Sequence, residues 1–118
     1  MDKQHEFIQK LTKETIRKQI IWSDKLSDKL NLPNEERAIS KLYITEIQGK
    51  KFRLYEFQYK LYTDLYEWLW NQRVRLELID NNDIRIYEFD YNYSLNDLFD
   101  AVTRTTSGID DFIDDFLK

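Results

Sequence analysis

Tyr66, Trp68 and Trp70 are followed closely by Arg73 and Arg75. Flat rings stack planar ligands, at about 1–3 kcal/mol per base. An arginine fork grips a phosphate with two parallel hydrogen bonds. Residues 42–93 hold 13 of the 18 aromatic residues, and Arg53 and Arg85 besides. These residue types together suit a nucleotide-like small molecule, with Tyr66, Trp68, Trp70, Arg73 and Arg75 as the candidate contacts. A second reading stands beside it. Aromatic residues favour strands in any sheet, and arginines lie readily over them. A further candidate is the polar window Thr103-Arg104-Thr105-Thr106-Ser107-Gly108, set inside an otherwise amphipathic helical stretch. Threonine, serine and glycine are poor helix formers. Either Arg104 with Thr105, Thr106 or Ser107 meets an anion there, or the helix bends or approaches the sheet closely at Gly108.

Catalytic chemistry finds few residues to work with. The chain has one histidine, His5, and no cysteine. A base needs an orienting partner and zinc needs several nitrogen or sulfur ligands, so neither a triad nor a zinc site is assigned. Asp110-Asp111 and Asp114-Asp115 read as a hydrated acidic face, because catalytic carboxylates need a cleft that shifts their pKa. No catalytic residue, metal or cofactor is assigned, and a non-enzymatic protein is expected.

The totals narrow the field further. At 118 residues a single domain is expected. Cysteine-free composition fits a reducing cytoplasm. The charged start Met1-Asp2-Lys3-Gln4-His5-Glu6 predicts no secretory signal, and no apolar run reaches the roughly 18 residues of a membrane span. Net charge is −4, divided as +2 over residues 1–41, −2 over 42–93 and −4 over 94–118. A groove that follows a nucleic-acid backbone needs clustered positive charge, so no nucleic-acid polymer is expected as a partner.

The elements that must position these residues follow from periodicity. Phe7, Ile8, Leu11 and Thr15 share one stripe of a helix over about residues 3–18. Ile20, Ile21 and Trp22 alternate, which predicts a short strand over 19–23. Residues 24–37, broken by Pro33, read as a polar excursion with leucine anchors. Leu42–Ile47 and Lys51–Tyr59 predict a hairpin turning at Gln48-Gly49-Lys50. Tyr55, Phe57 and Tyr59 share a face with Arg53, while Phe52 and Leu54 take the other, so both faces of the sheet are expected to be covered. Over 61–71 the leucines fit a helix and the rings fit a strand. Residues 73–80 and 84–90 predict a second hairpin, turning at Asn81-Asn82-Asp83. Ser94 is the expected N-cap of a last helix, with Asp97 completing a capping box. Leu95, Leu98, Phe99, Val102, Thr106, Ile109, Phe112, Ile113 and Phe116 keep the helical period to the end.

Thr15-x(4)-Ile20-x-Trp22 resembles a segment of many small uncharacterised bacterial and phage proteins, in which a helix leads into an antiparallel sheet. Those proteins close with a helix carrying a segment similar to Arg104-x(3)-Gly108-Ile109-Asp110. The resemblance implies a helix–sheet–helix layout. A looser similarity, to the Thoeris anti-defence sponges of phages, implies sequestration of a nucleotide-derived immune signal; no residue is carried over from it.

The expected fold is therefore α+β, with a four- or five-stranded antiparallel sheet and the terminal helices on one face. An exposed aromatic face would make a homodimer or larger assembly natural. Two functions follow from the residues. One is a binder of a nucleotide-like small molecule; the other is a protein-binding inhibitor or immunity-type module.

Overall fold

The Asp2 side chain accepts the Gln4 N–H and so starts helix α1, Lys3–Ile16, in a computed structural model that describes residues 2–118. Ile8, Leu11 and Thr15 are its buried stripe. The helix ends in a turn in which Lys18 takes a left-handed φ of 61°. The strand expected over 19–23 begins later, as β1, Ser23–Lys25. What Trp22 does instead is pack. It is buried, and its indole N–H donates to the Thr15 hydroxyl at 3.0 Å, which itself donates to the Leu11 carbonyl at 2.8 Å. The Thr15…Trp22 motif thus closes the end of α1 and gives a buried indole its partner.

The fold is α+β, with six antiparallel strands rather than four or five. After β1 come β2, Glu36–Ala38; β3, Leu42–Ile47; β4, Lys50–Tyr62; β5, Trp68–Ile79; and β6, Arg85–Glu88. The main order is β1-β3-β4-β5-β6. Thirteen-residue β4 is long enough to pair twice along one edge, with β3 over Lys50–Leu54 and with β2 over Phe57–Tyr59. Ser40 fills the gap between them by accepting the Glu56 N–H at 2.9 Å. Gln48 and Gly49, at φ 51° and 79°, make the tight β3–β4 turn. In the β5–β6 turn the left-handed residue is Asp83, and Asp80 accepts the N–H groups of Asn82 and Ile84.

Residues 61–71 resolve as strand, turn and strand. β4 pairs with β5 without interruption from Lys51↔Ile79 to Tyr62↔Trp68, and Thr63–Glu67 form the turn. None of residues 58–73 is buried. The outer part of this hairpin is therefore an arm. The described residues form an elongated body, 55 × 35 × 33 Å.

Ser94 opens helix α2, Ser94–Ser107, but does not cap it. Asn92 performs the expected capping role: its side-chain oxygen accepts the Ser94 N–H at 2.9 Å, and the Ser94 hydroxyl as well. Nor is the last helix continuous. Gly108 turns left-handed at φ 68°, and a separate helix α3, Ile109–Phe116, follows. The bend expected as one reading of the Thr103–Gly108 window is present. Leu95, Leu98 and Val102 of α2 join Ile8 and Leu11 of α1 over Phe52, Leu54, Val74 and Leu76 of the sheet. Both helices thus cover one face. On the other face Leu30 and Leu32 pack over Leu42, Tyr55 and Phe57, so the excursion is a second, thinner cover. Beyond Gly108 the apolar stripe reaches no core, and no residue of α3 is buried.

Candidate functional site

The seven candidate residues fall in three places. On the arm, the ladder sets Trp70 opposite Lys60 and Trp68 opposite Tyr62. Alternation along β5 places both indoles on the helix-covered side of the sheet, beyond the helices. They meet edge to face at 5.3 Å between centroids. Tyr66 stands in the turn and is 89% exposed. Arg73 and Arg75, an odd number of residues from Trp70, lie on the opposite side of the sheet. Arg104 and Thr105 lie on α2, away from both.

The ring faces on the arm already carry cations. The Arg37 guanidinium lies 4.1 Å from the Trp70 centroid, and the Lys60 ammonium 4.4 Å from that of Trp68. The sequence reading missed Arg37 and Lys60. Their signal is the cross-strand register, which can be read only once 61–71 is known to be strand. Tyr62 stands opposite Trp68 on the same side, Leu65 in the turn, and the Leu61–Leu69 pair on the other side of the arm, all exposed.

Arg75 is engaged within the fold. It is 6% exposed, forks onto Glu36 at 2.9 and 3.1 Å, donates to the Tyr55 hydroxyl at 3.3 Å and lies 3.8 Å from the Phe57 centroid. Its Nε is 3.2 Å from Glu88 Oε2, close enough for attraction but not aligned for a hydrogen bond. Burial works against its charge, yet the Glu36 and Tyr55 hydrogen bonds outweigh it and hold the guanidinium protonated beyond its usual range. Burial also pushes the Tyr55 hydroxyl up, with Glu77 adding to it. Next along the sheet, fully buried Glu77 accepts from Arg53 at 2.8 Å and from Arg85. Three arginines and Glu36, Glu77 and Glu88 thus form a balanced network on the sheet face away from the helices.

Arg104 and Thr105 are likewise occupied. Arg104 donates to Asp110 at 3.0 Å, and this bond raises its pKa. The Thr105 hydroxyl donates to the Ala101 and Val102 carbonyls. Side-chain bonds of this kind suit a helix about to turn at Gly108.

Arg73 differs. It is exposed and lies 5.3 Å from the Tyr59 ring and 4.6 Å from the Tyr91 ring. Among the described residues it makes no ion pair. A cleft of about 150 Å³ opens beside it. A wider groove, about 930 Å³, lies between residues 25–33 and the β5–β6 turn. Its Lys25 is tied to Asp83 at 3.1 Å, and its Arg53 and Arg85 to Glu77. His5 is half-buried.

Comparison with family models, with curated proteins and with solved structures finds no match to this chain.

Proposed function

We propose that this chain is a non-enzymatic recognition protein whose arm docks into an apolar pocket of another protein, rimmed by carboxylates. One observation carries the reading. Leu61, Tyr62, Leu65, Tyr66, Trp68 and Leu69 are 42–89% exposed, and all fall within nine residues of one hairpin. Tryptophan and tyrosine dominate binding hot spots, because they bring large area at little cost in conformational freedom. Lys60 and Arg37 flank the indoles and, among the described residues, meet no carboxylate in an ion pair; this supports an acidic rim on the partner. The same cations cover the ring faces that a nucleobase would stack on.

A photo-crosslinking residue at Tyr66 tests the proposal, with Asn81 as an exposed control position. The expected result is one discrete adduct from Tyr66 and none from Asn81. Excess native chain should compete it away, and a Trp68→Ala chain should not. Equal adducts from both positions, or equal competition by Trp68→Ala, would sink the reading.

A second reading rests on Arg73. A guanidinium held between Tyr59 and Tyr91, with no carboxylate paired to it, suits a small anion such as a nucleotide phosphate. Sequestration of a nucleotide-derived signal, the role implied by the sponge resemblance, would run through this cleft. The test is a thermal-shift series with nucleotides and cyclic nucleotides. Ligand at 100 times Kd should stabilise the chain by about 2.7 kcal/mol, and Arg73→Ala should abolish the shift. A series without any shift excludes this reading and leaves the first intact.

A further inference from the structure

We infer that two copies of this chain join along β5, antiparallel, about a two-fold axis at Trp70, so that their sheets continue as one. Docking of the arm uses its side-chain faces, whereas this contact uses its backbone edge. The two edges of β5 are covered unequally. On one, β5 pairs with β4 at every residue from Trp68 to Ile79. On the other, β6 pairs only with Glu77, Leu78 and Ile79, and the Phe89 N–H adds a bond to the Leu76 carbonyl. Tyr91 then lies over Arg73. From Trp68 to Gln72 no strand among the described residues pairs with this edge.

The Leu76 bond also tells which groups point outward. Successive residues of an antiparallel strand turn their backbone groups to opposite edges, so the even-numbered residues of β5 face the open side. Lys60, opposite Trp70, agrees: its own N–H turns away from β5, to the Glu35 carbonyl at 3.2 Å. Trp68, Trp70 and Gln72 therefore present N–H and C=O groups along the open edge. Among the described residues only the Gln72 N–H has a partner there, the Asn71 side chain at 2.9 Å. Free edges are ordinarily blunted by proline, a lysine or a bulge. Trp68-Leu69-Trp70-Asn71-Gln72 has none of these, and its ladder with β4 is regular. Such an edge takes up a further strand.

Two features select the same strand of a second copy. Trp70 is the midpoint of the open stretch, so a two-fold axis there pairs it over its whole length. Trp70 meets Trp70 of the other copy, and Trp68 meets Gln72 in both directions. That register, set by the backbone alone, also places Glu67 of each copy opposite Arg73 of the other. Both residues are exposed, and neither makes an ion pair among the described residues. Opposite charges placed directly across a ladder stabilise it, and like charges do the reverse. Moving the register two residues either way keeps the even-numbered residues paired but loses the match, since Arg73 then meets Leu65 or Leu69. The axis stands perpendicular to the sheet, so the indoles of both copies lie on one side, and the edges close on each other without a further open strand at the contact.

Sedimentation velocity on the full chain over a concentration series tests this. The expected species at high concentration is a dimer of twice 14.5 kDa. Gln72→Pro should leave the chain monomeric over the same range, because proline removes an outward N–H and sets its ring where the second strand must lie. It takes no bond from the β4–β5 ladder, so the circular dichroism spectrum should not change. Arg73→Glu and Glu67→Arg should each weaken the dimer about 10-fold or more, since the axis makes each like-charge contact twice. The two together should restore it. The chain has no cysteine of its own. Trp70→Cys should therefore give a single intermolecular disulfide on oxidation, because Cα atoms of a hydrogen-bonded pair stand about 5.5 Å apart, within disulfide reach. Leu69→Cys, two residues out of register with itself, should not. A chain that stays monomeric at every soluble concentration overturns the inference and leaves docking of the arm intact. A dimer that survives Gln72→Pro also overturns it. So do charge reversals that fail to compensate, or a disulfide that forms as readily from Leu69→Cys as from Trp70→Cys.

Discussion

Glu77→Gln is expected to destabilise the chain by about 3–5 kcal/mol, the cost of breaking a buried ion pair from one side. Glu77 is wholly buried, opposite Arg53 in the β4–β5 ladder and opposite Glu88 in the β5–β6 ladder. Arg53 Nε reaches Oε1 at 2.8 Å and Arg85 Nε reaches Oε2. Glutamine keeps the shape but leaves the Arg53 guanidinium 5% exposed without a counter-charge. Bonds from Nε to the glutamine oxygen and from Nη1 to the Asp83 carbonyl at 2.9 Å satisfy protons and not the charge. Urea unfolding measures the effect, as a lower midpoint at unchanged slope. The double change Arg53→Met with Glu77→Leu should recover most of the loss, since apolar replacement of a whole buried pair is often neutral or better. Arg85 then keeps Glu88 at 3.2 Å and its access to water. If the double variant is as unstable as Glu77→Gln, packing rather than charge governs the position.

This network was partly legible in the sequence. The period of two placed Arg53, Tyr55 and Phe57 on one face and Phe52 and Leu54 on the other, as the structure has them. The same period over 73–79 separates Val74 and Leu76 from Arg75 and Glu77. What periodicity does not say is whether an arginine faces water or a glutamate from another strand. Glu36 comes from β2, thirty-nine residues before Arg75 in the chain, and nothing local announces that pairing.

Residues 61–71 fit both helix and strand for a definite reason. Leu61, Leu65 and Leu69 are four apart, as on a helix. Yet Leu61 pairs with Leu69 across the ladder, and Leu65 stands midway, at the centre of the turn. A hairpin symmetric about Leu65 produces the same spacing as one face of a helix. With helix and strand both open, the separation of Trp68 and Trp70 from Arg73 and Arg75 stayed hidden too, since facing follows odd and even only along an unbroken strand. The last helix erred otherwise. The spacing of Ile109, Phe112, Ile113 and Phe116 correctly gave helix. A helical stripe carries no information on what it faces, however, and the turn at Gly108 takes this one off the chain's own core.

The arm makes β5 two strands in one for stability, and Leu76→Ala against Leu69→Ala reads the division. Leu76 is wholly buried, opposite equally buried Leu54, in the cluster that holds Ile8 and Leu95. Its truncation leaves a cavity between sheet and helices and should cost about 2–5 kcal/mol. Leu69 is seven residues away on the same strand, 51% exposed and opposite Leu61, itself 42% exposed. Its truncation should change stability by no more than about 0.5 kcal/mol. Chemical denaturation of both variants gives the comparison directly. A cost at Leu69 approaching that at Leu76 would mean that the arm's apolar residues already pack for the chain's own sake, and docking would lose its main support. A near-zero cost leaves six large apolar side chains that contribute little to folding, and binding is then the property through which they would be felt. Under that reading Leu69→Ala and Trp68→Ala leave the unfolding midpoint in place while weakening the Tyr66 crosslink, whereas Leu76→Ala lowers the midpoint and spares the crosslink wherever the chain remains folded.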